Sequence, residues 1–278
     1  MIKDIPSTSD SIRKYGLNAK KSLGQNFILD SNLTDKIARQ AGSLEDYHVL
    51  EIGPGPGGLT KSILRQNPKK LTVIEQDDRC VEALQEVQQF YPEKLQIIKG
   101  DALKFNIDEL LENPQQKIKI IANLPYNIGT KLLFEWLKNR QNIEQMVLLL
   151  QKEVVQRIVA QSGDKTFGRL AVMINFFCKT KKLFDIAPSC FVPAPKVTSS
   201  LVSIEPLAEP IMDVDFKSLK KICAAAFLQR RKMIKSALKN IYPDTQNWLK
   251  KCNINPSLRA EQLKLEDFGR LSLSFKNY

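Results

Sequence analysis

Residues 48–58 carry the sequence HVLEIGPGPGG, a short apolar run that leads directly into a glycine-rich turn. Gly53, Gly55 and Gly58 have the spacing G-x-G-x-x-G, and residues 59–65 behind the turn show helical spacing of apolar side chains. A strand, a glycine-rich turn and a helix in this order begin a Rossmann-like domain, where glycines let the backbone approach a nucleotide closely. The stretch therefore predicts an α/β fold with a nucleotide-binding turn.

Outward from this turn, the chain alternates between short apolar runs and segments of helical spacing. Further strands are predicted at residues 71–75, 95–98, 118–122, 146–150 and 199–204. Further helices are predicted at residues 32–40, 81–87 and 131–137. Short apolar strands separated by helices are typical of a parallel sheet that is covered by helices on both faces.

A change in composition divides the chain near residue 206. The stretch PLAEP at residues 206–210 has the composition of a linker. Beyond it, helices are predicted at residues 216–241, 248–252 and 261–271. We therefore predict two domains, an α/β domain of residues 1–206 and a small helical domain of residues 207–278.

Positive charge is concentrated in the second predicted domain. The chain of 278 residues has a net charge of +12, and residues 207–278 hold 14 basic and 7 acidic side chains. Residues 217–239 contain eight basic side chains and no acidic one. A short basic run is usually a solvated helix face, but eight basic side chains without an acid favour contacts with phosphate groups. The charge therefore predicts a polyanionic partner.

The composition excludes several classes of chemistry. A single histidine, His48, leaves no basis for a Ser-His-Asp triad, a multi-histidine zinc site or a histidine proton relay. The five cysteines are odd in number and lack C-x-x-C spacing, as in a reduced cytoplasmic protein without a metal site. The N-terminus lacks the apolar segment of a secretory signal, and the longest apolar stretch, residues 170–178, is far too short for a membrane span. We expect a soluble cytoplasmic protein.

Two carboxylates at predicted strand ends suggest which nucleotide binds. Glu75 lies 22 residues after Gly53, at the end of the second strand, where a carboxylate accepts ribose hydroxyls. NAD enzymes and S-adenosylmethionine (SAM) enzymes both use this arrangement. Pro54 and Pro56 favour SAM, because they remove two N–H groups that a pyrophosphate would bind. Asp101, after the third strand, is placed to accept a hydrogen bond from an adenine amino group.

The sequence NLPY at residues 123–126 follows the predicted fourth strand, where a parallel sheet faces its ligand crevice. The exocyclic amine of adenine is a poor nucleophile, because its lone pair is delocalised into the ring. The side-chain oxygen of Asn123 and a nearby backbone carbonyl can accept both amine hydrogens and favour a pyramidal nitrogen. The ring of Tyr126 offers a face on which an extruded base can stack. The motif predicts methylation of an exocyclic amine without a titrating base.

With these motifs, the chain resembles the rRNA adenine N6,N6-dimethyltransferases, most closely the branch that acts on bacterial small-subunit (16S) rRNA. The matching stretches are KSLGQNF at 21–27, EIGPG at 51–55, NLPYN at 123–127, QKEVV at 151–155, GRL at 168–170, FVPAPKV at 191–197 and AFLQRRK at 226–232. The similarity extends to about residue 261. It implies a Rossmann-like SAM-dependent methyltransferase sheet, with residues 1–30 containing a segment that closes over SAM, and a C-terminal helical domain that binds RNA.

The resemblance also implies roles for individual residues. The cofactor-binding residues are expected to be Asn26, Ile28, Gly53, Gly55, Glu75, Asp101, Ala102 and Asn123. The residues at the reacting amine are expected to be Asn123, Leu124, Pro125, Tyr126 and Phe191. Tyr126 and Phe191 would sandwich the adenine, while Asn123 and the Leu124 carbonyl would hold its amine. Contacts with RNA are expected from Arg230, Arg231, Lys232 and Lys235.

The activity that the resemblance implies is dimethylation of two adjacent adenines near the 3′ end of small-subunit rRNA. The substrate would be a precursor of the 30S ribosomal subunit, and we expect a monomeric enzyme without metal. One alternative is a large-subunit rRNA adenine methylase of the macrolide-resistance type, which shares the catalytic domain. Others are a non-catalytic RNA-binding assembly factor and, from the glycine pattern alone, an NAD(P) dehydrogenase. Whether Arg157 and Arg169 contact RNA or internal carboxylates stays open.

Overall fold

The computed structural model describes residues 5–18, 24–113 and 115–275. Its strands are β1 (Phe27–Ile28), β2 (His48–Ile52), β3 (Lys70–Glu75), β4 (Leu95–Lys99), β5 (Ile118–Asn123), β6 (Ile143–Gln151), β7 (Cys178–Ile186), β8 (Phe191–Val192) and β9 (Ser199–Pro206). Its helices are α1 (Thr8–Lys14), α2 (Ser31–Ala38), α3 (Gly58–Arg65), α4 (Asp78–Gln88), α5 (Gly129–Lys138), α6 (Lys152–Ile158), α7 (Arg169–Asn175), α8 (Phe216–Leu228), α9 (Ile234–Ala237), α10 (Thr245–Lys251) and α11 (Leu265–Phe275). Residues 21–23, where the resemblance begins, lie outside the described residues.

Seven strands form one sheet with the order β4-β3-β2-β5-β6-β9-β7. The strands β2 to β6 pair in parallel, and helices cover both faces. The prediction of an all-parallel sheet is wrong at one end, because β9 pairs antiparallel with β6. The chain runs outward from β2 through β3 to β4 and then returns to β5 on the other side of β2. This reversal opens a crevice at the carboxyl ends of β2 and β5.

The aromatic ring of Phe27, in the N-terminal segment, packs against the glycine-rich turn after β2. Gly55 has a φ of +56°, and a Cβ atom there would lie 2.7 Å from Cε1 of Phe27. Strand β1, which contains Phe27, pairs antiparallel with β8. Glycine is therefore required at position 55 both by the left-handed backbone and by the close approach of an aromatic ring.

The chain divides into two compact units that differ from the predicted domains. The first unit contains residues 1–152 and 181–206, and the second contains residues 153–180 and 207–278. The predicted boundary at residue 206 did not assign residues 153–180 to the second unit. These residues pack there through rings: Phe167 contacts Phe227 and Phe177 contacts Phe216, with centroids 6.0 and 5.8 Å apart.

The structure corrects one predicted helix and adds two elements that were not predicted. The helix predicted over residues 216–241 is interrupted after α8, and Met233 there forms an isolated antiparallel bridge with Arg259. Strand β7 was not predicted, because its lysines mask the apolar alternation. Helix α1 was missed in a segment without periodicity, where the Ser7 hydroxyl accepts a hydrogen bond from the Asp10 N–H at 3.1 Å.

His48 has a structural role. It is the first residue of β2, and its side chain is buried. The two ring nitrogens lie 3.0 Å from the Leu110 carbonyl and 2.7 Å from the Thr72 hydroxyl. Burial lowers the pKa of His48, so the neutral ring is favoured in the folded chain.

Across the described ranges, no helix combines the length and the apolar composition needed to cross a membrane. The same residues contain no group of three His, Cys, Asp or Glu side chains arranged to hold a metal ion.

Candidate active site

A cavity of about 310 Å³ lies at the carboxyl ends of β2, β3, β4 and β5. Its lining includes every residue predicted to bind the cofactor: Asn26, Ile28, Gly53, Gly55, Glu75, Asp101, Ala102 and Asn123. Leu124, Pro125 and Tyr126 also line it, whereas Phe191 does not. The volume suits a small-molecule ligand. The fold therefore brings together residues that are up to about a hundred positions apart in the chain.

Glu75 presents a buried carboxylate at the end of β3. Its Oε2 atom accepts a hydrogen bond from the Gly55 N–H at 3.0 Å, and its Oε1 atom accepts from Gln76 and Asp77 at 2.8 and 2.9 Å. Burial raises the pKa of Glu75, and the three N–H groups oppose this effect. The carboxylate is thus held rigidly beside the glycine turn, where a ribose hydroxyl could donate to the remaining lone pair of its Oε2 atom.

Asp101 lies after β4, at the same edge of the sheet. Its Oδ1 atom accepts a hydrogen bond from the Leu103 N–H at 3.0 Å and so caps the short 3-10 helix Ala102–Lys104. This bond leaves the Oδ2 atom of Asp101 as an acceptor beside the cavity. An adenine amine is a donor and needs such an acceptor.

Asn123 is the last residue of β5, and its side chain has a defined orientation. Its Nδ2 atom donates to the backbone carbonyl of Asn26 at 2.9 Å. Within the part of the chain that the structure describes, no donor reaches its Oδ1 atom or the carbonyl oxygen of Leu124. Both residues line the cavity, so these two oxygens are the candidates to accept the hydrogens of one planar NH₂ group.

The two aromatic residues predicted to sandwich a base differ in accessibility. Tyr126 lines the cavity, and its hydroxyl lies 2.7 Å from that of Ser199 in β9. Phe191 is only 2% exposed and packs in the apolar core, while its backbone pairs with Ile28. Tyr126 is available for stacking in this arrangement, whereas Phe191 would have to move before a base could contact its ring.

Glu51 is a buried carboxyl in the cavity wall that the sequence analysis did not assign. Its Oε2 atom accepts a hydrogen bond from the Thr60 hydroxyl at 2.7 Å. Burial raises the pKa of Glu51 from 4.5 to about 8. In the sequence, Glu51 is recognisable as the one acidic residue of the buried strand β2, where it lies between the apolar residues Leu50 and Ile52.

We predict that Glu51→Gln makes stability less dependent on pH. The folded chain keeps the Glu51 proton to about pH 8, whereas the unfolded chain releases it near pH 4.5, so the free energy of unfolding falls as pH rises between these values. Glutamine cannot titrate, and at pH 8 the variant should be more stable than wild type by on the order of a few kcal/mol. Urea unfolding at pH 5 and pH 8 measures this difference. The exposed control Glu45→Gln should follow wild type; a Glu51→Gln curve parallel to wild type would contradict the prediction.

The basic segment of the second unit is only partly free to bind RNA. Arg230 donates to the backbone carbonyls of Lys165 and Phe167 at 2.8 and 3.0 Å, and it lies 3.6 Å from the Glu261 carboxylate. The neighbouring Arg231 and Lys232 are exposed. Arg230 therefore has a structural role within its unit, and the exposed pair is better placed for phosphate contacts.

The other basic residues that the sequence analysis named have local positions in the same unit. Lys235 is half-buried in α9, and Arg157 forms an exposed ion pair with Glu153 at 3.6 Å. Arg169 is the first residue of α7.

The residues of the cavity fit SAM. The left-handed glycine turn leaves room for a ligand, Glu75 and Asp101 would supply acceptors for a ribose and an adenine, and Pro54 and Pro56 offer no N–H groups to a pyrophosphate. A Rossmann-like sheet with these groups and an Asn-Leu-Pro-Tyr turn at one crevice defines the class of nucleotide-dependent methyltransferases that act on amines.

Within this class, the chain belongs to the ribosomal RNA adenine dimethylase family, whose model matches residues 16–277. A ribosomal RNA small subunit methyltransferase A from Xanthobacter autotrophicus is 46% identical over 275 residues, which cover 98% of this chain and 94% of that protein. A dimethyladenosine transferase from Plasmodium falciparum superimposes with a TM-score of 0.74 at 26% identity, covering 90% of this chain and 98% of that one.

The alternatives are not favoured by these similarities. The crystal structure of the 23S rRNA methyltransferase ErmE has a TM-score of 0.67 and 24% identity, covering 90% of this chain and all of that one. That likeness shows a shared fold alone, whereas the 46% identity is to a small-subunit enzyme. Neither a dehydrogenase nor a non-catalytic factor is supported by the family match.

Proposed function

We propose that the chain uses SAM to dimethylate the N6 atoms of two adjacent adenines near the 3′ end of small-subunit rRNA. The observation that carries this proposal is the convergence of Glu75, Asp101 and the turn of residues 123–126 on one cavity. The name of the 46% identical relative, a small subunit methyltransferase, supports the choice of RNA. The substrate would be a partly assembled 30S subunit, and the enzyme would act in the cytoplasm as a monomer.

The residues of the site would act by positioning. When bound, SAM supplies an electrophilic methyl group on its sulfonium. The Oδ1 atom of Asn123 and the Leu124 carbonyl would accept the two N6 hydrogens, which turns the nitrogen lone pair towards the methyl group. The ring of Tyr126 would stack on the adenine and stabilise it outside the RNA helix. After transfer, the cationic product loses its proton to solvent, so a histidine is not required.

Mapping the methylated nucleotides tests this function. Undermethylated small and large ribosomal subunits are incubated with the enzyme and labelled SAM, and the modified bases are located by mass spectrometry of rRNA fragments. We expect N6,N6-dimethyladenine at two adjacent positions near the 3′ end of small-subunit rRNA. Label in the large subunit would support the macrolide-resistance type, and the absence of label with both subunits would overturn the proposal.

We also propose that the second unit binds rRNA through its exposed basic residues. Residues 217–239 carry eight positive charges without an acid, and Arg231 and Lys232 follow the end of α8 with exposed side chains. Such contacts bind phosphates without reading the base sequence of the RNA. They would orient the small ribosomal subunit on the enzyme, while the first unit of the chain selects the adenine.

We predict that the double reversal Arg231→Glu/Lys232→Glu weakens binding to the small subunit and flattens its salt dependence. Each lost phosphate contact reduces the slope of log K against log salt by about one, so the slope should fall by about two. Filter binding across a salt series measures it. The matched control is Lys250→Glu/Lys251→Glu, which makes the same charge change on α10 and should keep most of the slope. Equal losses in both variants would mean that net charge alone binds the RNA.

A further inference from the structure

We propose that Arg79, aligned by Asp77, is a positioning residue for methyl transfer. It holds the N-terminal segment on α4 so that the Asn26 carbonyl orients the amide of Asn123. The inference rests on the proposed role of Asn123 and adds a residue that does not itself line the cavity.

Arg79 joins two parts of the first unit through one guanidinium group. Its Nε and Nη2 atoms donate to the two carboxylate oxygens of Asp77 at 3.1 and 2.8 Å. Its Nη1 atom donates to the Gly16 carbonyl at 2.8 Å, and Nη2 also lies 3.3 Å from the Asn18 carbonyl. The Asp77 side chain is only 1% exposed, so this ion pair is shielded from water on its acidic side. A planar fork with several donors is needed to bind a carboxylate and two carbonyls together.

The same carboxylate also contacts the next described part of the N-terminal segment. The Oδ2 atom of Asp77 accepts a hydrogen bond from the Gln25 side chain at 3.4 Å. The following residue, Asn26, accepts the bond from Asn123 through its carbonyl at 2.9 Å. The Asp77 N–H donates to Glu75 at 2.9 Å. A continuous path therefore links the proposed ribose-binding carboxylate to the proposed amine-binding amide.

Apolar packing supports the segment next to this polar path. Leu17 and Phe27 both pack in a buried cluster with Cys80 and Ala83 of α4. These contacts would keep the segment folded near α4 when Arg79 is removed, because apolar burial does not depend on the ion pair, but they would not fix its exact position. Loss of Arg79 should therefore shift the position of the segment and leave the fold intact. A misplacement of about 1 Å near reacting groups can cost roughly a hundredfold in rate.

The experiment compares Arg79→Ala and Arg79→Lys with wild type. For Arg79→Ala, we expect the Kd for S-adenosylhomocysteine (SAH), measured by calorimetry, to rise by up to about tenfold, because Asp77, whose N–H donates to the Glu75 carboxylate, loses the guanidinium that aligns it. We expect kcat to fall by about tenfold to a hundredfold, with little change in Tm. Arg79→Lys should be intermediate, since lysine keeps the charge but not the fork. The control Lys14→Ala removes another ion pair between the same segment and α4, with Glu86, that makes no bond to Asp77, and it should behave as wild type.

A double-mutant cycle with Asn123→Ala separates this inference from the proposed function. If Arg79 acts through Asn123, Arg79→Ala should lower kcat much less in the Asn123→Ala background than in wild type. A lower Tm with unchanged SAH affinity and kcat would overturn the inference and leave the proposed function intact. Full activity of Asn123→Ala would instead overturn the role of Asn123 on which the inference rests.

Discussion

The Asn123→Ala variant should transfer methyl groups about a hundredfold to a thousandfold more slowly than wild type, the range found when one preorganised polar contact at a reacting centre is removed. The amide oxygen of Asn123 is one of the two candidate acceptors for the amine, and its orientation is set by the bond from its Nδ2 atom to the Asn26 carbonyl. Without it, the target amine keeps only the Leu124 carbonyl as a partner and its lone pair stays delocalised.

Single-turnover transfer from labelled SAM to undermethylated small subunits measures this effect. SAH affinity should change far less than the rate, because Asn123 is one of eight residues expected to hold the cofactor but one of only two expected to hold the amine. The matched control is Asn139→Ala, which removes the same amide group at the end of α5 and should leave the rate unchanged. A wild-type rate in Asn123→Ala would show that this amide does not hold the amine.

The second large effect concerns Glu75. We expect Glu75→Gln to raise the Kd for SAH by roughly tenfold to a hundredfold, because a hydrogen bond to a charged acceptor is worth about 1.5–3 kcal/mol. The buried carboxylate already binds three backbone N–H groups, so it is held in place before the ligand arrives. Glutamine has the same shape, but its side-chain NH₂ group is a hydrogen-bond donor. It would therefore face a backbone N–H group or a ligand hydroxyl that also donates.

Calorimetric titration with SAH tests this prediction. Glutamine cannot accept all three backbone N–H groups that the carboxylate binds, so Tm should fall, and the titration is made well below the Tm of the variant. The control Glu82→Gln changes an exposed residue of α4 in the same way and should bind SAH normally. Normal affinity in Glu75→Gln would exclude this carboxylate from cofactor binding.

The strands around the site could be predicted because their signals are local. Strands β2, β3 and β5 are short apolar runs, and Glu75 and Asn123 stand at the ends of two of them. In a parallel sheet the carboxyl ends meet at one edge, so strand ends can be assigned to one crevice without knowledge of distances. All the predicted cofactor-binding residues do line one cavity.

Features that depend on packing between distant segments could not be predicted. The assignment of residues 153–180 to the second unit depends on rings that meet only after folding, such as Phe167 and Phe227. Arg230 looked equivalent to Arg231 in the sequence, yet it bonds to carbonyls 63 and 65 positions earlier. The burial of Phe191 and the bonds of Arg79 to the N-terminal segment likewise have no signature in local spacing.

A crystal structure of the chain with SAH tests the central claim most directly. We expect the ribose to donate to Glu75, the adenine amine to donate to Asp101, and the sulfur to face the turn of residues 123–126. The bond between the Asn123 amide and the Asn26 carbonyl should persist in that complex. SAH bound outside this cavity, or bound inside it with the sulfur turned away from Asn123, would show that these residues do not form the cofactor and amine site.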